Sequence, residues 1–168
     1  NPVDVAVTNL DNDTAGITVS PISGNTTEAG GTATFTVVLT SQPTANVTIG
    51  LSSSDLTEGT VAPGSLTFTA ANWNVAQTVT VTGVDDSVDD GDIAYTIVTG
   101  AAVSTDPNCS GLSPADVAVT NLDNDTAGIT VTPTAGLTTT EAGGTATFTV
   151  VLTSQPTADV TIPLASTA

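Results

Sequence analysis

The chain has 168 residues and a formal charge of -17, from 14 Asp and 3 Glu with no Lys, Arg or His to oppose them. Affinity for nucleic acid rests on Lys and Arg neutralising phosphates, so a nucleic-acid partner is excluded, and an anionic membrane surface is disfavoured for the same reason. No apolar run approaches the roughly 20 residues of a membrane-spanning helix, so direct membrane insertion is not expected.

In chain order, the elements read as short strands. GITV at 16–19 is the first. From Thr32 to Leu39, Ala33, Phe35, Val37 and Leu39 fall on one face and Thr32, Thr34 and Thr36 on the other, the period-two pattern of a half-buried strand. Similar alternation follows at Val47, Ile49 and Leu51; at Leu66 and Phe68; at Val79 and Val81; at Ile93, Tyr95 and Ile97; and at Val117 and Val119. Turn-forming stretches such as SQPTA, APGS and ANWN separate them. Seven alternating strands with no 3.6-residue pattern predict an all-β fold, an antiparallel seven-strand Greek-key sandwich of the immunoglobulin-like kind. Trp73 is read as a core or rim residue, with a sugar-stacking platform as the alternative. Cys109 is alone, so no disulfide closes within the sequence, and it is read as a small loop residue.

The sequence also repeats. DVAVTNLDNDTAGITV at 4–19 returns unchanged at 116–131, and EAGGTATFTVVLTSQPTA at 28–45 returns at 141–158. The chain reads as a window of a tandem array: residues 1–13 are the final strand of one repeat, 14–125 a complete sandwich, and 126–168 the first part of the next. A unit of about 100 residues can bury its own core, unlike a solenoid repeat of about 20 to 50. Thr14 directly follows Asp13 and Thr126 follows Asp125, so successive units have almost no linker.

The acids gather in three places. VDDSVDDGD holds Asp85, Asp86, Asp89, Asp90 and Asp92 between two strands. LDND holds Asp123 and Asp125 after the last strand, with Asp11 and Asp13 in the earlier copy, and TEAGG holds Glu28, with Glu141 in the later copy. A like-charged pair at about 4 Å costs roughly 1 kcal/mol in bulk water and about 4 kcal/mol at a protein surface. In a seven-strand sandwich the loop before the sixth strand and the residues leaving the seventh lie at one end, where a divalent cation would convert repulsion into coordination. Hard carboxylate oxygens favour Ca2+. An EF-hand fails on spacing: with Gly91 sixth, Val88 is third and no Glu is twelfth. Zinc lacks its His and Cys ligands.

TEAGGTATFTVVL, TFTAANWNVAQTVTVTGVDDSVDDGD and ADVAVTNLDND together resemble the Calx-beta domain, over the whole of 14–125. The resemblance implies a seven-strand sandwich with calcium bound at one tip, next to the following domain. It implies ligand roles for Glu28, Asp85, Asp86, Asp123 and Asp125, and it matches Asp55 to an acid of the region between the third and fourth strands. Where the family loop carries Glu after its Asp pair, this chain has Asp89, Asp90 and Asp92.

No base stands ready to activate a Ser or Thr nucleophile, and the carboxylates are clustered as for a metal, so an enzyme is not expected. The expected role is a calcium-stiffened segment of a secreted bacterial surface fibre or adhesin, extracellular or at the cell surface, with neighbouring repeats of the same chain as partners. Two alternatives stay open: a self-assembling filament of several copies, and a calcium-sensing regulatory module.

Overall fold

The computed structural model describes residues 2–167; Asn1 and Ala168, the outer bounds of the two flanking pieces, lie outside the described residues. Nine strands lie between Ile17 and Leu122: β1 (Ile17–Val19), β2 (Thr26–Thr27), β3 (Thr32–Leu39), β4 (Val47–Ser53), β5 (Gly59–Ala62), β6 (Ser65–Phe68), β7 (Gln77–Gly83), β8 (Ile93–Thr99) and β9 (Val117–Leu122). One sheet has the order β1-β3-β7-β5 and the other β2-β9-β8-β4-β6. The connections from β3 through β8 cross repeatedly between the sheets, giving the two-sheet Greek-key sandwich that the alternation predicts. Among the described residues there is no helix, and so none long and apolar enough to cross a membrane.

All seven strands anticipated from the alternation are present. The two additions are short: β2 is a Thr-Thr pair with no apolar residue to mark it, and β5 contributes only Val61 and Ala62 after a glycine and a threonine. The pairing is antiparallel except at one place. The stretch before β3 leaves the first sheet after β1 and joins the second as β2, which runs parallel to β9 with Thr26 opposite Asn121 and Thr27 opposite Leu122.

Period two fixes which side chains meet between the sheets. Phe35 in β3 lies opposite Val79 in β7, and Tyr95 in β8 opposite Val119 in β9. Phe35, Phe68, Ile49 and Ile97 are almost wholly removed from water, and the Thr residues between them face outward or lie half-buried. Trp73 is half-buried against this core, so its ring packs. Cys109 is buried in the same cluster from its loop, and burial, with Asp106 beside it, pushes its thiol pKa up, the opposite of an activated thiol.

Identical sequences adopt different states in the two halves of the chain. Residues 116–125 contain β9, paired to β8 and β2, whereas the same residues at 4–13 form no strand and leave Val5, Val7 and Leu10 more than 80% exposed. Among the described residues no strand pairs with 4–13. In the later copy β10 (Ile129–Thr132) pairs with β11 (Thr149–Leu152), Ile129 opposite Leu152 as Ile17 is opposite Leu39. That local pairing is reproduced because it needs only its own two strands. Burial is not reproduced: Phe148, the counterpart of Phe35, is 45% exposed against 1%.

The two phenylalanines therefore make a paired test. Phe35→Ala should lower the unfolding free energy by about 3–5 kcal/mol, the usual cost of a large-to-small change in a core, and Phe148→Ala by less than about 0.5 kcal/mol. Urea titrations followed by Trp73 fluorescence would measure both, and similar losses would contradict the burial described.

Candidate metal centre

One end of the sandwich collects the ends of β2, β7 and β9 and the starts of β5 and β8, and the acids lie there because they flank those strand ends. Glu28 follows β2, and its N–H donates to Leu122 O (3.1 Å), continuing the β2–β9 pairing by one residue. The TEAGG turn then closes through Gly31 N–H to Thr27 O and Thr27 Oγ1 (both 3.1 Å), with Gly30 at φ 79°, a conformation that glycine adopts without a Cβ penalty. This turn holds the Glu28 side chain inward, 3% exposed.

Asp123 and Asp125 follow β9. Asp123 Oδ1 accepts Asp125 N–H (2.7 Å), and Asp123 Oδ2 accepts Gly91 N–H (2.8 Å) from the loop between β7 and β8. That loop is tied back twice more: Asp123 N–H donates to Asp92 Oδ1 (3.1 Å), and Asn124 Nδ2 donates to Asp85 Oδ1 (3.2 Å). Asn124 N–H in turn donates to Glu28 Oε2 (3.1 Å). Carboxylate oxygens of Glu28, Asp123 and Asp125 all come within 4.8 Å of one another.

The charges in this cluster are poorly compensated. Burial raises the Glu28 pKa above its ordinary value, and the Asp123 and Asp86 charges raise it further, against a lowering by the Asn124 N–H. Burial also raises Asp125, with Asp123, Asp85, Asp86 and Asp89 adding to the effect. Asp123 is shifted down, first by the N–H of Asp125 and then by that of Gly91. Asp125 Oδ2 is buried and has no hydrogen-bond partner among the described residues. Buried acceptors are nearly always satisfied, so such an atom asks for a ligand. Ca2+ takes oxygen ligands at 2.3–2.6 Å, which places oxygens sharing one ion no more than about 5 Å apart. The three-carboxylate set meets that limit, and its all-oxygen chemistry suits the ion.

The other anticipated residues are distributed as follows. Asp85, Asp86, Asp89, Asp90 and Asp92 line the exposed loop at this end; Asp86 Oδ1 accepts Val88 N–H (2.7 Å) within the loop, and Asp89 Oδ2 reaches Ala127 N–H (2.7 Å) past the end of β9. Asp55 turns back on its own segment, accepting from Thr57 N–H (2.9 Å) and Thr57 Oγ1 (2.6 Å), which lowers its pKa. Asp11 and Asp13 lie at the opposite end, exposed, beside Ser41, Gln42, Thr44 and Asp106 around a cavity of about 250 Å³. Glu141 is exposed in the later copy, and no second carboxylate cluster of this kind forms around it among the described residues.

Two residues at this end escape a reading of the acid clusters. Glu58, at the head of β5, is 7% exposed, and its pKa is raised by burial despite a hydrogen bond from Asn121, with Asp90, Asp55 and Asp86 adding to the rise. It is an isolated acid in SSSDLTEG, and the only mark it carries in the sequence is its place directly before a glycine that opens a strand. Asn121 is 1% exposed. Its signal is a polar residue third in the inward row Val117, Val119, Asn121.

No family model matches the chain, and no curated protein matches it. Among solved structures, the chain is similar to the apo form of the Calx CBD1 domain, with 20% identity and a TM-score of 0.45 over 66% of this chain and 99% of that one. It is also similar to WR4, an MSP family member of C. elegans, with 15% identity and a TM-score of 0.40 over 64% and 96%. A chain of a cohesin–dockerin complex from Clostridium thermocellum gives 11% identity and a TM-score of 0.43 over 69% and 99%. None of these likenesses bears on the site, whose description rests on the geometry above.

The electrostatics give a pH profile for the metal-free protein. Glu28, Glu58 and Asp125 bind their protons more tightly folded than unfolded, so the native state carries the excess protons and stability falls as pH rises through their raised pKa values. Asp55, Asp106 and Asp123 are shifted down, so their contribution is lost as pH falls through their lowered values. The melting temperature should therefore climb as pH is lowered from neutrality through the raised values and drop again as it falls on through the lowered ones. A steady decline from neutrality in chelated buffer would contradict the crowding of these carboxylates.

Proposed function

We propose that this chain is a calcium-binding segment of an extracellular array of sandwich domains, with a structural and cell-adhesion role on a bacterial surface. The observation that carries the reading is the buried, unpartnered Asp125 Oδ2 within a three-carboxylate set, in a chain with no side-chain cation to answer it. Glu28, Asp123 and Asp125 would hold the ion, with Asp85, Asp86 and Glu58 beside them and Asp89, Asp90 and Asp92 on the adjoining loop. When bound, the ion supplies positive charge and oxygen coordination that join the four segments bearing these acids. Residues 14–125 are the unit of the array, and Asp11, Asp13, Asp55 and Glu141 are read as acids of the same kind; of these Asp11, Asp13 and Glu141 serve neighbouring repeats.

Stiffening follows from where the acid loop makes its other contacts. Asp89 accepts Ala127 N–H, and Ser87 O accepts Gln155 N–H (2.6 Å) from the SQPTA loop of the later copy. With Thr126 directly after Asp125, a loop ordered by calcium would also fix the direction in which the next unit leaves. Extracellular calcium modules bind at about 10⁻⁴ to 10⁻³ M, so millimolar calcium outside a cell would fill sites left empty inside it. A second reading, a self-assembling filament, is favoured by the exposed Val5, Val7 and Leu10, whose identical counterparts Val117, Val119 and Leu122 lie in β9.

Isothermal titration should show calcium binding that Asp125→Ala weakens by about tenfold or more. The wild-type melt should rise with calcium and fall back in EDTA, by about 2.7 kcal/mol in stability at one hundred times Kd. No heat of binding together with identical melts in calcium and EDTA would end the calcium reading. Light scattering with and without calcium would separate a monomeric rod from a filament.

A further inference from the structure

Asn121 occupies a position that period two reserves for an apolar residue, and its amide is fully used. Its Oδ1 accepts Thr26 Oγ1–H (3.0 Å), and its Nδ2 donates to Val84 O (3.0 Å) and to Glu58 Oε2 (3.4 Å). The orientation is determined by its neighbours, since a turned amide would set Oδ1 against a carbonyl and a carboxylate. Thr26 Oγ1 also lies 3.0 Å from Tyr95 OH, where either hydroxyl can donate, and 3.3 Å from Thr120 O. Two glycines make room for this network: a Cβ at Gly83 would collide with Thr27 O and Asn121 Oδ1, and one at Gly59 with the Tyr95 ring and hydroxyl.

Each partner of Asn121 stands next to an acid of the candidate site. Thr26 precedes Glu28 by two residues, Val84 directly precedes Asp85 and Asp86, Glu58 is itself at the site, and Asn121 precedes Asp123 by two and Asp125 by four. Four acid-bearing segments from both sheets therefore meet at one buried side chain, none of whose own atoms belongs to a carboxylate. Mutually repelling carboxylates do not hold themselves together, and a fully satisfied polar network in a low-dielectric surrounding can.

We infer that Asn121 is the positioning residue of the cation site: its amide, pinned by Thr26 and Tyr95, sets the relative placement of the segments that carry Glu28, Glu58, Asp85 and Asp86, and Asp123 and Asp125. This inference rests on the calcium reading above. Asn121 acts through other groups and ligates nothing. Its loss leaves every carboxylate in the chain and removes only their common anchor, and outer-shell partners of metal ligands typically contribute 10–100-fold in affinity.

The test is calcium titration of the full chain as wild type, Asn121→Leu, Thr26→Val and the control Ile97→Val, each with its metal-free melting temperature. Ile97 is buried in β8 opposite Val117, away from the network, so its truncation lowers the melt without touching the anchor. Asn121→Leu and Thr26→Val should raise the calcium Kd by about tenfold or more, and Ile97→Val should leave it at the wild-type value. A folded Asn121→Leu with the wild-type Kd would overturn the inference; if that variant does not fold, a wild-type Kd in Thr26→Val would overturn it equally. A weakened Kd in Ile97→Val matching that of Asn121→Leu would also overturn it, because affinity would then follow stability alone. Wild-type protein that binds no calcium would remove the calcium reading and this inference with it, a failure visible before any variant is compared.

Discussion

Negative charge without a side-chain counterion is the constraint on which this molecule turns. Seventeen acidic side chains face no Lys, Arg or His, so no ion pair between side chains can form anywhere. Each buried or crowded carboxylate must be answered by uncharged hydrogen-bond donors of backbone and side chains, by a proton or by an ion from solution. The structure shows the first answer at several places. Asp106 is held by the N–H groups of Thr44 and Asn108, and Asp55 by its own turn. At the β9 end the supply runs short: Asp123 is satisfied, but Asp125 keeps a buried oxygen without a partner, and Glu28 and Glu58 are raised by burial.

The sandwich concentrates this shortage at one pole. Strand direction brings the ends of β2, β7 and β9 and the starts of β5 and β8 to the same end, and the acids sit just outside those strand limits. A solvated acidic loop would not bury Glu28 to 3% or Glu58 to 7%. Their burial follows from Gly30 and Gly31, which let the TEAGG turn fold back, and from Gly59 and Gly83, which let backbone approach Tyr95 and Asn121. Backbone shape at a few glycines thus decides which carboxylates are drawn together and which remain on the surface.

The repeated segments show how far local sequence reaches. Ile17 pairs with Leu39 and Ile129 with Leu152, and the Thr27–Gly31 bridge recurs as Thr140–Gly144. Turns and two-strand pairings travel with their sequence because every contact they need is local. Burial and longer pairing do not travel. DVAVTNLDND contains a core strand where β8 and β2 flank it and forms no strand at 4–13, and Phe35 is enclosed where Phe148 is open, because burial is a property of what lies on the other side.

Alternation of Thr with Val, Ile, Leu and Phe determined by itself that the chain is all-β, where its seven main strands lie and which side chains face inward, because period two is a property of each strand alone. The three acid-rich stretches were equally plain as charge patterns. Only the tertiary structure decided which acids meet. It drew in Glu58, an unmarked acid at a strand head, turned Asp55 away into its own loop, and placed Asp11 and Asp13 at the far end. It also gave Asn121, a single polar residue in an apolar row, contact with three segments distant in sequence. Convergence of this kind is set by the strand order and by close backbone approach at glycines, and neither can be read from the spacing of residues along one strand.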